Sequence, residues 1–167
     1  MIRCFNPVLI CLCYIGILFS QNTYPIILIH GFLGWGRNEM AGYYYWGGKT
    51  DLEVELKSSG YEVYTVSVGP ISPNWDRAIE AFYQIKGGQV DYGNEKAEQH
   101  GIIQRPSGKN YTGLYPQWDE KNPVHLIGHS LGGSTAKMLE VLLKKSIPEE
   151  ASPLLSSAHS GWISSVT

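Results

Sequence analysis

The residues with the clearest chemical potential in this sequence form one pentapeptide, Gly128-His129-Ser130-Leu131-Gly132. A largely apolar run before it, residues 124–127, predicts a buried strand, and the apolar stripe of residues 136–143 predicts a helix after it. When a Gly-x-Ser-x-Gly turn joins a strand to a helix in this way, the serine lies at the tip of a sharp, strained turn. A Cβ on either glycine would collide with a neighbouring strand or helix. Ser130 is therefore the candidate nucleophile of a serine hydrolase. A glycine-rich turn without chemistry is the alternative.

A second motif lies near the start of the chain, where residues 24–30 predict a strand. Four successive apolar residues at 26–29 leave this strand no polar face, which is typical of a buried strand in a parallel sheet. The strand leads into His30-Gly31 and a glycine-rich loop. In α/β-hydrolases a loop at this place supplies one backbone N–H of the oxyanion hole, and the residue after the nucleophile supplies the other. The motifs together predict the N–H groups of Phe32 and Leu131 as an oxyanion hole. A plain strand-to-loop turn is the alternative for the first motif.

The elements between the two motifs must bring them together. The pattern predicts a helix over residues 51–59, a strand over 61–68 and a helix over 73–86. Strands that alternate with helices indicate an α/β fold with a mostly parallel, doubly wound sheet, and a ligand site at the carboxyl ends of the strands. Both His30 and Ser130 fall at such ends.

The remaining stretches have weaker patterns. Residues 87–122 are polar, rich in Tyr and Gly, and without a clear period, so we expect an irregular segment that covers the site. Residues 146–160 predict a Ser/Pro loop, and residues 162–167 predict the start of another strand.

Length and composition indicate one ordinary globular domain. The chain has 167 residues, of which 43% are hydrophobic and 17% charged, and this is enough to bury a core. The formal net charge is −2, and Lys and Arg form no block, so no nucleic-acid partner is expected.

The first residues have the pattern of a secretory signal. Residues 1–20 combine one positive charge, an apolar run at 8–19 and a polar exit, whereas a membrane span needs about 20 apolar residues. We therefore expect a secreted, extracellular protein with no stable membrane span, whose domain is residues 21–167; a retained N-terminal anchor is the alternative. All three cysteines lie in this segment: Cys4, Cys11 and Cys13. The mature chain would then fold without disulfides.

Longer motifs in the sequence resemble a known family. They are, in order, residues 25–40 around His30-Gly31-Phe32, Tyr45-Trp46-Gly47-Gly48, Val68-Gly69-Pro70, Asn74-Trp75-Asp76-Arg77-Ala78, Val90-Asp91-Tyr92-Gly93 and the pentapeptide at Ser130. This set resembles the secreted bacillus and staphylococcal triacylglycerol lipases over residues 24–167. The resemblance implies an α/β-hydrolase fold, hydrolysis of fatty-acid esters at a lipid–water interface, and no organic cofactor.

The sequence departs from that family in length. The family is roughly twice as long, and its triad aspartate and histidine lie beyond the position of Thr167, so the resemblance implies the N-terminal portion of the sheet with the C-terminal strands missing. No histidine of this chain stands at a matching place: His30, His100, His125, His129 and His159. We expect a truncated lipase that lacks two triad members. The alternative is a genuine short product, a catalytically dead lipid-binding or regulatory module of the same fold.

A second departure concerns metals. The family holds a structural zinc with two aspartates and two histidines. Asp76 matches the first aspartate, but Lys96 and Ile102 stand at the histidine positions, with His100 between them. The second aspartate and the family's calcium site would lie beyond this chain. A Lys ammonium competes with a metal for the carboxylate, so we expect no zinc.

Aromatic residues cluster after the first motif, at Trp35, Tyr43-Tyr44-Tyr45 and Trp46. They are candidates for lining an acyl site, although plain packing is the commoner role of such a cluster. We assign them no catalytic role.

Overall fold

The structure is a computed structural model that describes residues 23–145 and 159–167. The expected signal at 1–20, with its three cysteines, and most of the expected loop at 146–160 lie outside the described residues, so both stay predictions. No helix within the described ranges is long and apolar enough to cross a membrane. The elements in chain order are β1 (Ile26–Ile29), α1 (Leu52–Ser58), β2 (Val63–Val66), α2 (Asn74–Lys86), β3 (Gly88–Gln89), α3 (Asn94–His100), β4 (Asn110–Tyr111), β5 (Val124–Gly128), α4 (Leu131–Lys144) and β6 (Ile163–Val166).

The main sheet has four strands in the order β2-β1-β5-β6, and every neighbouring pair is parallel. The predicted α/β class with a mostly parallel sheet is confirmed. The register pairs Ile26 with His125 and Ile29 with Gly128, so β1 and β5 end side by side. This alignment brings the two sequence motifs to the same edge of the sheet.

The core lies between the sheet and a layer made by α2 and α4, which also pack against each other. Its side chains are fully buried, as expected for apolar groups, each of which contributes about 1.5–3 kcal/mol through burial. Representative members are Ile27, Ile29, Ile79, Leu126 and Leu139.

Local signals in the sequence explain where the helices begin and end. The Asp51 carboxylate accepts hydrogen bonds from the N–H groups of Glu53 and Val54, which caps α1, and Gly60 follows the helix with a φ of 90°. Pro73 precedes the first residue of α2, where its fixed φ suits the helix start. Both predicted helices are confirmed.

The expectation of an irregular segment at residues 87–122 is wrong in part. The segment contains α3 and an antiparallel pair formed by β3 and β4. Strands of two residues are too short to leave a periodic pattern, which is why the sequence did not indicate them. Its described contacts include α2, for example from Lys109 to Glu80, and Trp162, whose carbonyl accepts from the indole N–H of Trp118, and none of its described hydrogen bonds reaches Ser130.

The predicted strand near residue 162 is confirmed as β6. It lies parallel to β5, with Val124 opposite Ile163 and an irregularity in register before His125. The neighbouring Trp162 packs against Phe82 of α2 and against Trp118.

Candidate active site

Ser130 occupies the turn between β5 and α4. Its backbone has a φ of 55° and a ψ of −123°, a conformation that non-glycine residues rarely adopt and that costs roughly 1–3 kcal/mol. The side chain is exposed. A strained, exposed serine between a strand and a helix is the geometry expected of a nucleophile, because the turn separates its hydroxyl from both flanking elements.

The two glycines around Ser130 are required by close backbone contacts. A Cβ on Gly128 would lie 2.3 Å from the carbonyl carbon and oxygen of Gly132, at the start of α4. A Cβ on Gly132 would lie 2.1 Å from the carbonyl oxygen of Ile29 in β1. The collisions anticipated from the sequence are thus present, one with the helix and one with the neighbouring strand.

Two backbone N–H groups near Ser130 are available to an anion. Within the described part of the chain, no hydrogen bond is made by the N–H of Phe32 or of Leu131. Leu131 is the first residue of α4, where N–H groups have no acceptor in the helix and the helix dipole favours negative charge. Gly31, next to Phe32, is so near Ser130 that a Cβ on it would lie 3.0 Å from the Ser130 Cβ. The arrangement suits an oxyanion bound beside the serine.

His30 is fully buried at the end of β1 and is not available as a base. Its Nε2 accepts a hydrogen bond of 3.2 Å from the N–H of Val68, so Nδ1 carries the proton and donates to the carbonyl of Gly31 at 2.9 Å. Burial lowers the pKa of His30, which keeps the imidazole neutral. Its role is to hold the first motif in place.

Tyr45 connects the two motifs through one oxygen. The N–H of Gly31 donates to the Tyr45 Oη at 3.0 Å, and the same Oη lies 2.6 Å from Nδ1 of His129. The tautomer of His129 sets the direction of this second hydrogen bond, for which the Tyr45 hydroxyl can be donor or acceptor. Tyr45 thereby joins the residue before Phe32 to the residue before Ser130. Sequence reasoning considered this tyrosine only as an acyl-site wall or as packing and missed the bridge, since its two partners are 14 and 84 residues away.

Arg77 is a second residue that sequence reasoning left without a role. It is fully buried on α2, and its guanidinium donates to the carbonyl of His30, to the carbonyl of Gly69 at 2.6 Å and to Oγ1 of Thr135 at 2.9 Å. Burial lowers the pKa of Arg77, and the nearby carboxylate of Glu80 opposes this change. These bonds fix the end of β1 relative to α4. The neighbours of Arg77 on the same face of α2 include the buried polar residues Glu80 and Gln84, so no apolar pattern in the sequence indicated that Arg77 is buried.

No histidine in the described part of the chain forms a hydrogen bond with Ser130. His125 bonds Oγ of Ser165 through Nδ1 at 2.7 Å, and the ring of His159 lies 4.4 Å from that of Trp162. His30 and His129 have the partners given above, and His100 ends α3. A histidine–acid pair for the nucleophile is therefore not found among these residues.

The residues at the zinc positions do not fit a metal. The ammonium of Lys96 forms an ion pair with the Asp76 carboxylate, and these two side chains are only 19% and 16% exposed. Ile102, which has no ligand atom, is 36% exposed. Within residues 23–145 and 159–167, no group of three or more His, Cys, Asp or Glu side chains could hold a metal ion. A cation already occupies the carboxylate that a zinc ion would need.

The fold and the site together define an α/β protein with a serine at a strained strand-to-helix turn. The family model described as "Lipase-like, C-terminal domain" matches residues 22–167, and the chain belongs to this family. It is 41% identical over 160 residues to a lipase of Staphylococcus epidermidis, a match that covers 88% of this chain and 23% of that protein. Lipase 2 of Staphylococcus aureus is also 41% identical, over 159 residues. The chain spans about a quarter of the length of these curated relatives.

Superposition on solved structures agrees with this family assignment. EstA from Clostridium botulinum superposes with a TM-score of 0.81 at 42% identity, covering 90% of this chain and 37% of that one. The lipase of Staphylococcus hyicus superposes with a TM-score of 0.80 at 35% identity, covering 87% of this chain and 40% of that one. The predicted resemblance to staphylococcal lipases is confirmed.

Proposed function

We propose that this chain is part of a secreted lipase of the α/β-hydrolase fold, which hydrolyses fatty-acid esters such as triacylglycerols with Ser130 as nucleophile. The observation that carries the proposal is the strained, exposed Ser130 beside the N–H groups of Phe32 and Leu131, which make no hydrogen bond within the described residues. The lipases among the relatives support the same class of substrate.

In the proposed reaction, the Ser130 Oγ attacks the ester carbonyl carbon and its proton passes to a histidine. The carbonyl oxygen becomes an oxyanion that the N–H groups of Phe32 and Leu131 stabilise, and removal of one such donor typically costs about 10²–10³ in rate. Collapse of the intermediate expels the alcohol, which takes up the proton, and leaves an acyl-serine that water hydrolyses. We propose that the histidine and its acid partner belong to a part of the complete polypeptide C-terminal to Thr167.

Replacement of Ser130 by alanine tests the proposal in the complete polypeptide. We expect Ser130→Ala to abolish turnover of a short-chain nitrophenyl ester and to leave the circular dichroism spectrum unchanged, because the turn depends on Gly128 and Gly132 rather than on the hydroxyl. Ser134→Ala, an exposed serine one turn into α4, is the matched control and should retain full activity. Undiminished turnover by Ser130→Ala would end the assignment.

The length of the transcript separates the two candidate functions. If the coding sequence continues beyond Thr167 to an aspartate and a histidine, and the extended protein hydrolyses esters, the enzyme is supported. If the natural product binds lipid without hydrolysis, the chain is a binding module of the same fold.

We also propose that the protein holds no zinc, because Lys96 neutralises the Asp76 carboxylate. Metal analysis after extensive dialysis should find far less than one zinc per chain. A tightly held stoichiometric zinc would mean that other groups rebuild the site.

A further inference from the structure

A short loop after β2 supports the first motif of the candidate site. It consists of Val68-Gly69-Pro70, one of the motifs noted in the sequence, and we call it the 68–70 loop. The N–H of Val68 donates to Nε2 of His30 at 3.2 Å. The carbonyl of Pro70 accepts the N–H of Leu33 at 2.9 Å. The loop therefore bonds the chain both before and after Phe32, whose N–H is a proposed oxyanion donor.

The direction of the Phe32 N–H depends on such hydrogen bonds, because packing restrains this part of the chain little. The side chains of Phe32 and Leu33 are 59% and 60% exposed. Leu33 has a φ of 54°, in the left-handed region that non-glycine residues rarely adopt and that persists only where surrounding contacts hold it. The bond from its N–H to Pro70 is one such contact. A movement of the 68–70 loop would therefore change the backbone at Leu33 and, with it, the direction of the neighbouring Phe32 N–H.

A buried carboxylate on α2 holds the middle of the 68–70 loop. Glu80 is only 2% exposed, and its Oε2 accepts the N–H of Gly69 at 2.7 Å. Its Oε1 accepts from the hydroxyl of Tyr92 at 2.6 Å and from the ammonium of Lys109. A buried charge is costly unless it is paired and hydrogen-bonded, and hydrogen bonds to a charged group are stronger than those between neutral groups. The position of Glu80, and with it that of Gly69, thus depends on its other two partners.

Lys109 reaches Glu80 from the segment between α2 and β5. It lies immediately before β4, and its backbone bonds the N–H of Val90 at 2.8 Å and the carbonyl of Pro106 at 3.1 Å. Its Nζ also donates to the hydroxyl oxygen of Tyr92 at 2.9 Å. Burial raises the pKa of Tyr92, so the phenol stays protonated and donates to Glu80. Lys109 is therefore held from its backbone to its ammonium, with Glu80 at the end of this chain of contacts.

We propose that Lys109 is a positioning residue for the proposed reaction, which acts through Glu80 and the 68–70 loop on the N–H of Phe32. This inference rests on the proposed function and extends it to a segment whose described hydrogen bonds do not reach Ser130. Without the ammonium, the buried carboxylate loses a donor and the charge that contacts it, and we expect it to turn toward solvent and release Gly69. The Phe32 N–H is then misdirected, and an oxyanion donor acts only when it is aimed at the developing charge.

Two lysines of this segment allow a matched comparison. Lys109 pairs with Glu80 and Lys96 pairs with Asp76, and both carboxylates belong to α2. Among the described residues, no hydrogen bond joins Asp76 to the 68–70 loop. Lys96→Met therefore removes an ion pair between the same two parts of the chain without touching the loop.

The first measurement is ester turnover by the complete polypeptide. We expect Lys109→Met to lower kcat for a nitrophenyl ester by about tenfold with little change in KM, because small displacements of positioned groups are costly to rate. Lys109→Arg keeps the positive charge and should recover most of the loss, whereas Lys96→Met should retain wild-type kcat and KM. Unchanged kcat in Lys109→Met, or an equal fall in Lys96→Met, would overturn the proposal.

The second measurement follows the loop directly and needs no turnover. Hydrogen exchange of backbone N–H groups is followed by NMR in the 167-residue chain. Lys109→Met should speed exchange of the Gly69 and Leu33 N–H groups by about tenfold, since their hydrogen bonds open more often. The N–H of His125, which donates to the carbonyl of Pro25 in the sheet at 2.8 Å, should be unaffected. Faster exchange of all three groups would mean that the whole fold is loosened, and this would contradict a positioning role.

The two measurements let the two proposals fail separately. If turnover does not depend on Ser130 while Lys109→Met speeds exchange at Gly69 and Leu33 alone, the proposed function is wrong and Lys109 only holds the loop. If turnover depends on Ser130 but Lys109→Met is as active as the wild type, only the positioning role is overturned.

Discussion

The spacing of the two motifs of the site depends on a few hydrogen bonds. The Tyr45 oxygen lies between the N–H of Gly31 and the imidazole of His129, and the fully buried His30 bonds the carbonyl of the same Gly31. A tyrosine hydroxyl is suited to this bridge because it can accept from the Gly31 N–H and form a second hydrogen bond with the imidazole of His129. We infer that Tyr45 is a positioning residue that acts through Gly31 and His129 rather than through the substrate.

Tyr45→Phe tests this role because it removes only the oxygen. In the complete polypeptide we predict that kcat for a nitrophenyl ester falls by about tenfold with little change in KM, because small displacements of positioned groups are costly to rate. Tyr44→Phe, the neighbouring residue, is the control and should retain wild-type kcat. A parallel fall in both variants, or unchanged kcat in Tyr45→Phe, would contradict the positioning role.

The elements of the site are held together where α4 meets β1 and α2. Gly132 allows the first turn of α4 to touch the carbonyl of Ile29, and Arg77 of α2 bonds the carbonyl of His30 and Thr135 of α4. Buried carbonyls that lost the guanidinium would each cost about 1–3 kcal/mol. The strained turn at Ser130 persists because these contacts surround it.

Adjacent glycines in α4 allow a matched comparison. A Cβ at Gly132 would lie 2.1 Å from a backbone oxygen of β1, whereas a Cβ at Gly133 would lie 3.6 Å from its nearest neighbour, an ordinary contact. We predict that Gly132→Ala lowers the free energy of unfolding by about 3 kcal/mol, and that Gly133→Ala raises it by about 0.5–1 kcal/mol because alanine favours a helix. Urea denaturation of the three proteins measures both. Similar stability of the two variants would mean that α4 and β1 are not in close contact.

The features that could be predicted from sequence depend on residues close together in the chain. They are the apolar runs of β1 and β5, the helix cap at Asp51 and the glycines around Ser130. The Tyr45 bridge and the buried Arg77 could not be predicted, because their partners come from distant elements. The pair β3 and β4 was missed for a different reason, since strands of two residues have no period. At the scale of the whole molecule, the described chain is a four-stranded parallel sheet with α2 and α4 packed together against it and α1 beside β2, and β6 is its last strand.

Trp162, the residue immediately before β6, packs β6 against α2 and Trp118. Its ring stacks on Phe82 of α2 at 6.3 Å and meets Trp118 edge-on at 5.2 Å, and its carbonyl accepts the indole N–H of Trp118 at 2.7 Å. Trp162→Ala keeps the backbone carbonyl but removes the ring, which leaves a gap between α2 and β6. Because the ring is only partly buried, we predict a loss of about 2–3 kcal/mol in the free energy of unfolding, below the 3–5 kcal/mol typical of fully buried tryptophans.

Two further variants make the Trp162 prediction specific. Trp162→Phe keeps an aromatic ring against Phe82 and should recover most of the loss, whereas Tyr61→Ala removes an aromatic ring that is 57% exposed and should cost less than about 0.5 kcal/mol. Urea denaturation followed by circular dichroism measures all three. If Trp162→Ala were no less stable than Tyr61→Ala, β6 would contribute little to the fold, and the stability of the sheet would have to come from β1, β2 and β5 with the helices packed against them.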